Sequence, residues 1–278
     1  MRDFQTTRLN STAGTGVASI LASEAALLNP ASSAFFQGNS FSYQASSPKL
    51  KDQSPNRVSQ NNKFSSRAQS QGLFVSDYSG PVKGGLAYLR QVENKFEREK
   101  FVLHGASASN KETAIGASYG YERLKEPVSS SNRHQINHFL NIGVTHIVAQ
   151  RTILGLVVKD ALKTVTDGQA VKAGIQQGLS DNILLLADVG FQGKKSFSKT
   201  YEWNTALQLT LFDDFFLRAG LSYDELHQYR SKGWGFAWMG PKLGLEFAQR
   251  FSTALAKNTY LYENERIIDT SLSAFVSF

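Results

Sequence analysis

Residues 202–224 read EWNTALQLTLFDDFFLRAGLSYD, and their alternation decides the fold. Trp203, Thr205, Leu207, Leu209 and Leu211 share one face of an extended chain, and Glu202, Asn204, Ala206, Gln208 and Thr210 share the other, because side chains alternate with period two along a strand. After Asp213-Asp214 the pattern restarts, with Phe215, Leu217, Ala219, Leu221 and Tyr223 opposite Phe216, Arg218, Gly220, Ser222 and Asp224. Two such strands joined by an Asp-Asp turn form a tight hairpin. One face is apolar and the other carries charge, as in a wall that meets lipid outside and polar groups inside.

The same alternation extends along the chain. It predicts strands near residues 35–45, 72–79, 83–93, 100–109, 113–124, 136–147, 151–160, 170–178, 182–192, 200–212, 215–225, 234–248, 251–262 and 266–278. Every second connector is tight: Asn110-Lys111, Ser180-Asp181, Asp213-Asp214 and Gln249-Arg250. Those between are longer and polar, such as 125–135, 160–169, 193–199 and the Ser-, Asn- and Gln-rich stretch 46–71. Short turns on one side, longer loops on the other and an even strand count define an antiparallel transmembrane β-barrel of about 14 strands. The chain divides into an N-terminal helical segment over 1–34 and the barrel over 35–278. Gly84-Gly85, after Pro81, reads as a glycine-rich turn.

Composition excludes the competing classes. Mean hydropathy is -0.29, and apolar runs such as Ile153 to Val158 fall far short of the roughly 18 residues of a membrane helix. The chain has 19 Phe, 10 Tyr and no Cys, which suits aromatic-rich strands and excludes a disulfide scaffold or thiolate metal site. The surplus of 30 Lys+Arg over 23 Asp+Glu comes without any nucleic-acid-binding motif, and loops facing the phosphates of outer-membrane lipid account for it. The five histidines (104, 134, 138, 146 and 227) show no nucleophile-base setting, so no enzyme is expected. His134 and His138 lie four apart in a strand context, not on one helix face, so no metal and no cofactor are expected.

The N-terminal segment differs from the rest. Residues 14–36 read GTGVASILASEAALLNPASSAFF. Val17, Leu21, Ala25 and Leu28 fall at helical spacing, Asn29 suits a helix exit and Pro30 stops the helix. Small residues and glycines, a short helix, Asn29-Pro30-Ala31 and an aromatic first strand together resemble the start of the FadL-type long-chain fatty-acid transporter family. Residues 212–223 and Gly244-Leu245-Glu246-Phe247 look like the late hairpins of those barrels. The resemblance implies a fourteen-stranded outer-membrane barrel whose N-terminal segment plugs it and guides hydrophobic compounds from outside toward a lateral opening. Members that carry fatty acids are much longer, with large external loops. Smaller relatives bind partner proteins, and that alternative stays open, as does self-assembly into a homo-oligomer.

Candidate residues follow. Gly14, Gly16, Leu21, Leu28, Asn29, Pro30 and Ala31 belong to the plug and its gating; Phe35 and Phe36 to a hydrophobic ligand path; Glu202, Asn204, Gln208, Arg218 and Asp224 to the lumen lining. The partners implied are outer-membrane lipid, the barrel assembly machinery and hydrophobic small molecules. The start of the chain has no apolar signal region, so a signal is expected to have been removed. An apolar-out strand that ends on Phe278 resembles the assembly signal of bacterial outer-membrane barrels. Deleting Phe278 is therefore expected to lower the amount of folded protein at the cell surface; unchanged surface levels of the truncated chain would refute this.

Overall fold

A computed structural model of the chain describes residues 4–20, 23–52, 69–93, 96–128, 131–164, 169–193, 196–255 and 265–278. Fourteen strands follow a short N-terminal segment: β1 Asn39–Asp52, β2 Gln69–Asp77, β3 Lys83–Glu93, β4 Phe96–Ala108, β5 Thr113–Val128, β6 Ser131–Ala149, β7 Thr152–Lys159, β8 Ala170–Gly178, β9 Ile183–Gln192, β10 Glu202–Leu211, β11 Phe215–Asp224, β12 Tyr229–Met239, β13 Leu243–Ala254 and β14 Arg266–Ser277. Each pairs antiparallel with its sequence neighbours, and β1 pairs with β14 from Ser40↔Ser277 to Asp52↔Arg266, so the sheet closes. Closure gives every strand a neighbour on both sides.

The wall has two chemical faces. In β2, Ser70, Gly72, Phe74 and Ser76 are buried inward while Gln71, Leu73 and Val75 are exposed. Outward positions elsewhere carry Leu103, Ile115, Leu156, Leu217, Leu245 and Leu272, all large and exposed. An encircling apolar surface of this kind has no place in water, and a closed barrel is the one sheet that satisfies its own backbone in lipid. Aromatic pairs flank the belt, among them Tyr88 and Phe101, whose ring centroids are 4.7 Å apart, and Phe236 and Phe247 at 5.4 Å. We call the rim that carries the Ser109–Glu112 turn the lower rim, and the opposite one the upper rim.

Several expectations need correction. The strands predicted at 234–248 and 251–262 are instead β12 and β13, and their turn is Gly240-Pro241-Lys242, where proline lacks the donor a ladder needs. Gln249 and Arg250 therefore sit inside β13, in register with Trp234 and Gly233. β5 and β6 run to Val128 and from Ser131, so most of the polar loop expected at 125–135 is strand. β4 begins at Phe96, so residues 96–99, left outside the strands expected at 83–93 and 100–109, are strand as well. Here cross-strand pairs hold charged side chains on the sheet, including Arg90–Glu97 at 2.7 Å and Arg123–Glu99 at 2.6 Å. Of the stretch 46–71, residues 46–52 and 69–71 are strand, and 53–68 lie outside the described residues. Gly84 and Gly85 are paired in β3 with Gly105 and His104 of β4, not in a turn. β1 begins at Asn39, not at 35.

Among the described residues of 14–34, the continuous helix expected there is not formed. The segment holds a helix α1 at Thr7–Ser11 and two 3₁₀ turns at Ser23–Ala26 and Pro30–Phe35. Gly14, at φ 97°, ends the first turn after α1 in a conformation that side chains resist. Asn29 and Pro30 begin a helical turn and do not end one. The Asn29 carboxamide oxygen accepts the Ala31 N–H at 3.2 Å, and Pro30 occupies the first helical position, where a missing N–H costs nothing. Leu21 lies outside the described residues; Val17, Ala25 and Leu28 are buried.

Candidate functional site

The N-terminal segment lies inside the barrel and is bonded to its wall on several sides. Thr6 caps α1, its hydroxyl accepting the Leu9 N–H at 3.1 Å. The Thr7 N–H donates to Gln44 Oε1 of β1 at 2.8 Å, and Asn10 Nδ2 donates to Ser271 Oγ of β14 at 3.1 Å. Arg250, which the sequence placed in a turn, points inward and donates to Gln5 Oε1 at 3.1 Å. Across the lumen, the Gly16 and Val17 amides both donate to Asp188 Oδ2 of β9, at 2.7 and 3.1 Å. Asn29 Nδ2 reaches the Val17 carbonyl at 2.9 Å, the Val144 carbonyl at 3.2 Å and Thr145 Oγ1 at 3.1 Å. One side chain thus ties two parts of the plug to each other and to β6.

Such close docking requires a wall without side chains where the plug backbone passes. Three directly paired sets of inward glycines provide it: Gly116↔Gly143 on β5 and β6, Gly155↔Gly174 on β7 and β8, and Gly220↔Gly233 on β11 and β12. A methyl at Gly116 would lie 2.5 Å from the Ala31 nitrogen, and one at Gly143 would land on the Asn29 carboxamide. At Gly155 it would strike the Val17 carbonyl, and at Gly220 and Gly233 the backbone of Thr12 and Asn10. A glycine inside a strand marks close approach by another backbone, and these meet the plug.

The five residues expected to line the lumen lie on the inward face of β10 and β11, each engaged or buried there. Arg218 Nη1 donates to Glu246 Oε1 at 2.8 Å and its Nε to Gln208 Oε1 at 2.9 Å; Arg8 of α1 donates to that same oxygen at 3.4 Å. Glu202 pairs with Lys172, and Asp224 accepts from the His227 amide at 2.9 Å. Asn204 is buried. Glu24 of the plug is also buried, and burial followed by the nearby Glu246 holds its carboxyl above the ordinary range. A raised acid favours the docked state below its ordinary pKa and loses that contribution as pH rises through the raised value.

Beside this packed side lies a cavity of about 170 Å³. Phe4, Leu9 and Leu28 of the plug and Leu89, Val102 and Phe139 of the wall give it an apolar floor, while Arg98, Lys100, Glu122 and Lys159 ring it toward the upper rim. Glu122 holds Arg98 at 3.3 Å and Lys100 at 3.5 Å, and the Lys100 ammonium lies 4.7 Å from the Phe139 ring centre. An apolar void of about 150 Å³ accepts a benzene-sized guest. Leu28 was foreseen as a plug residue; the other floor residues were not. Phe35 and Phe36, expected on a ligand path, do not line the cavity. Phe35 packs on Ala31, Ala34, Ala106 and Ala114 near the lower rim, and the Phe36 ring lies 5.5 Å from that of Tyr78.

No family model and no curated relative matches the chain. Solved structures do match in shape. The monoaromatic hydrocarbon channel CymD superposes with a TM-score of 0.76 at 13% identity, over 98% of this chain and 97% of that one. The Pseudomonas putida toluene transporter TodX gives 0.73 at 11% identity over 98% and 97%. A Pseudomonas aeruginosa FadL homologue gives 0.63 at 13% identity over 100% and 99%. This chain has the fold of these barrels.

The Asp188 carboxylate is the latch most open to test. Asp188→Ala leaves two buried plug amides without an acceptor, each costing about 1–3 kcal/mol. Backbone exchange at Gly16 and Val17 is expected to speed up in that variant, with Asp188→Asn intermediate. Identical exchange in all three proteins would show that the carboxylate does not hold the plug.

Proposed function

We propose that this protein is an outer-membrane channel of FadL type, admitting small hydrophobic compounds by passive diffusion, with the N-terminal segment as its gate. The observation that carries this reading is the apolar-floored cavity near the upper rim, closed below by the plug. A solute entering there leaves water for a pocket of single-ring size, and it meets plug side chains that must shift before it can go further. CymD and TodX, whose fold this chain shares, are described as a monoaromatic hydrocarbon channel and a toluene transporter, which supports a solute of similar size. The upper rim is then the external one. Diffusion down a gradient needs no nucleophile, cofactor or metal, so the reading places no catalysis in the chain.

One observation favours a second reading. The plug is hydrogen-bonded to β1, β6, β9, β10, β13 and β14, and a barrel sealed so thoroughly also suits a structural or partner-binding role without transport.

Two variants separate the readings. Removing residues 1–30 is expected to raise single-channel conductance in planar bilayers and to change uptake of a labelled hydrophobic solute. Leu89→Trp, which fills the cavity and leaves the plug bonds intact, is expected to weaken solute binding about tenfold or more, the equivalent of losing burial of one ring. Unchanged conductance after plug removal, together with unchanged uptake in Leu89→Trp, would reject the channel in favour of the sealed barrel.

A further inference from the structure

The outer surface of the barrel is asymmetric in charge near the upper rim. On β3 to β5, outward cations are matched by outward carboxylates: Arg90 and Lys125 meet Glu97, and Arg123 meets Glu99. On the arc from β12 through β14 to β1, the outward Lys49, Arg230 and Lys232 have no such carboxylate among the described ion pairs. Arg230, Lys232, Trp234 and Phe236 alternate outward along β12 and are all exposed. The cross-strand register continues this face in two rows. One runs Tyr223, Arg230, Thr253, Arg266; the other, one step nearer the belt, runs Leu221, Lys232, Phe251, Ile268, Lys49. Among the described side chains no carboxylate faces outward on β12, β13, β14 or β1; Glu225, in the loop before β12, accepts from the Tyr223 hydroxyl. The Arg230 guanidinium lies 5.9 Å from the Tyr223 ring centre, which holds it against the wall and leaves its donors toward solvent.

These cations lie directly above an apolar surface. Trp234 is 44% exposed, Phe236 48% and Leu221 47%, so the patch pairs basic heads with a greasy floor across the boundary of the belt. Lys232 and Lys49 are three strands apart, roughly 14 Å at the usual strand spacing. No single small anion spans that row, whereas a disaccharide headgroup phosphorylated at both ends does, with its acyl chains lying down the belt. Clusters of Lys and Arg at a membrane boundary attract lipid phosphates.

We propose that the outward face of β12, β14 and β1, through Arg230, Lys232 and Lys49, is a docking site for an acylated, phosphorylated glycolipid of the lipid A kind. This rests on the outer-membrane reading given above and adds a lipid partner on the outside of the wall, apart from the solute path within. The face on β3 to β5 does not take the same ligand, because its carboxylates already occupy its cations and repel phosphate.

The full chain, refolded in a neutral detergent, is titrated with diphosphorylated lipid A, with the same lipid stripped of phosphate and with inorganic phosphate, and bound lipid is counted by native mass spectrometry. Wild type is expected to retain the phosphorylated lipid. The triple variant Arg230→Gln, Lys232→Gln, Lys49→Gln is expected to lose about a hundredfold in retention, the combined effect of three interfacial cations. Arg90→Gln with Lys125→Gln, on the matched face, is expected to bind like wild type. Heat-modifiable gel migration of every variant reports the closed barrel independently, so a chain that never forms one contradicts the membrane reading and not this site. Equal retention by the folded triple variant, equal binding of the stripped lipid, or competition by millimolar inorganic phosphate would overturn the proposal.

Discussion

In hydrocarbon every backbone N–H and C=O must find a partner within the protein, since none comes from solvent. The pairing of β14 with β1 meets that condition for the last open edge, and the remaining features follow from it. A closed sheet of fourteen strands must present apolar side chains to lipid at alternate positions. The other positions then face an interior too wide for their own side chains to fill. The N-terminal segment occupies that interior, and its own unpaired backbone groups must be satisfied there as well.

The chain meets this second demand in two ways. Wall side chains accept from the plug backbone, Asp188 from Gly16 and Val17 and Gln44 from Thr7, while Asn29 of the plug itself caps the Ala31 amide. Paired wall glycines let the plug come close enough for those bonds. Each glycine weakens its strand by roughly 0.5–1 kcal/mol relative to alanine, so placing them together on neighbouring strands confines that weakness to the plug's track. The ionic side of the lumen, where Arg8 and Glu24 meet Arg218 and Glu246, is buried and tightly bonded. The opposite side is left with apolar contacts and a cavity. On the channel reading proposed above, the cavity beside the plug is the lane for a hydrophobic solute, while the bonded side holds the segment in place.

Much of the barrel was legible in the sequence because strand alternation is local: Trp203 to Leu211 and Phe215 to Tyr223 declare both faces without any partner strand. Strand ends were less legible. Charged residues such as Glu97 and Lys125 look like loop until cross-strand pairing shows them holding a sheet together beyond the belt. Gly240-Pro241 was hidden because the apolar alternation runs on across it. The plug was legible as a segment but not in shape. Asn29-Pro30 carries the signature of both a helix end and a helix start, and the Asn29 oxygen accepting the Ala31 amide decides for the start. The glycine pairs were invisible because Gly116 and Gly143 become neighbours only once register is fixed. Asp188 left one local trace, an acid at an inward position of the otherwise apolar run 183–189.

The account turns on whether the segment docked in the lumen moves to admit solute. Because the chain has no native cysteine, Asn10→Cys and Ser271→Cys, at positions whose side chains are 3.1 Å apart across the plug and β14, can be joined through two disulfides by a short bis-methanethiosulfonate in folded protein within lipid vesicles. The account predicts efficient joining, loss of hydrophobic-solute uptake while the link is intact, and recovery of uptake when the link is reduced. Failure to join in a barrel that still migrates as folded, or uptake that continues with the segment locked in place, would contradict it.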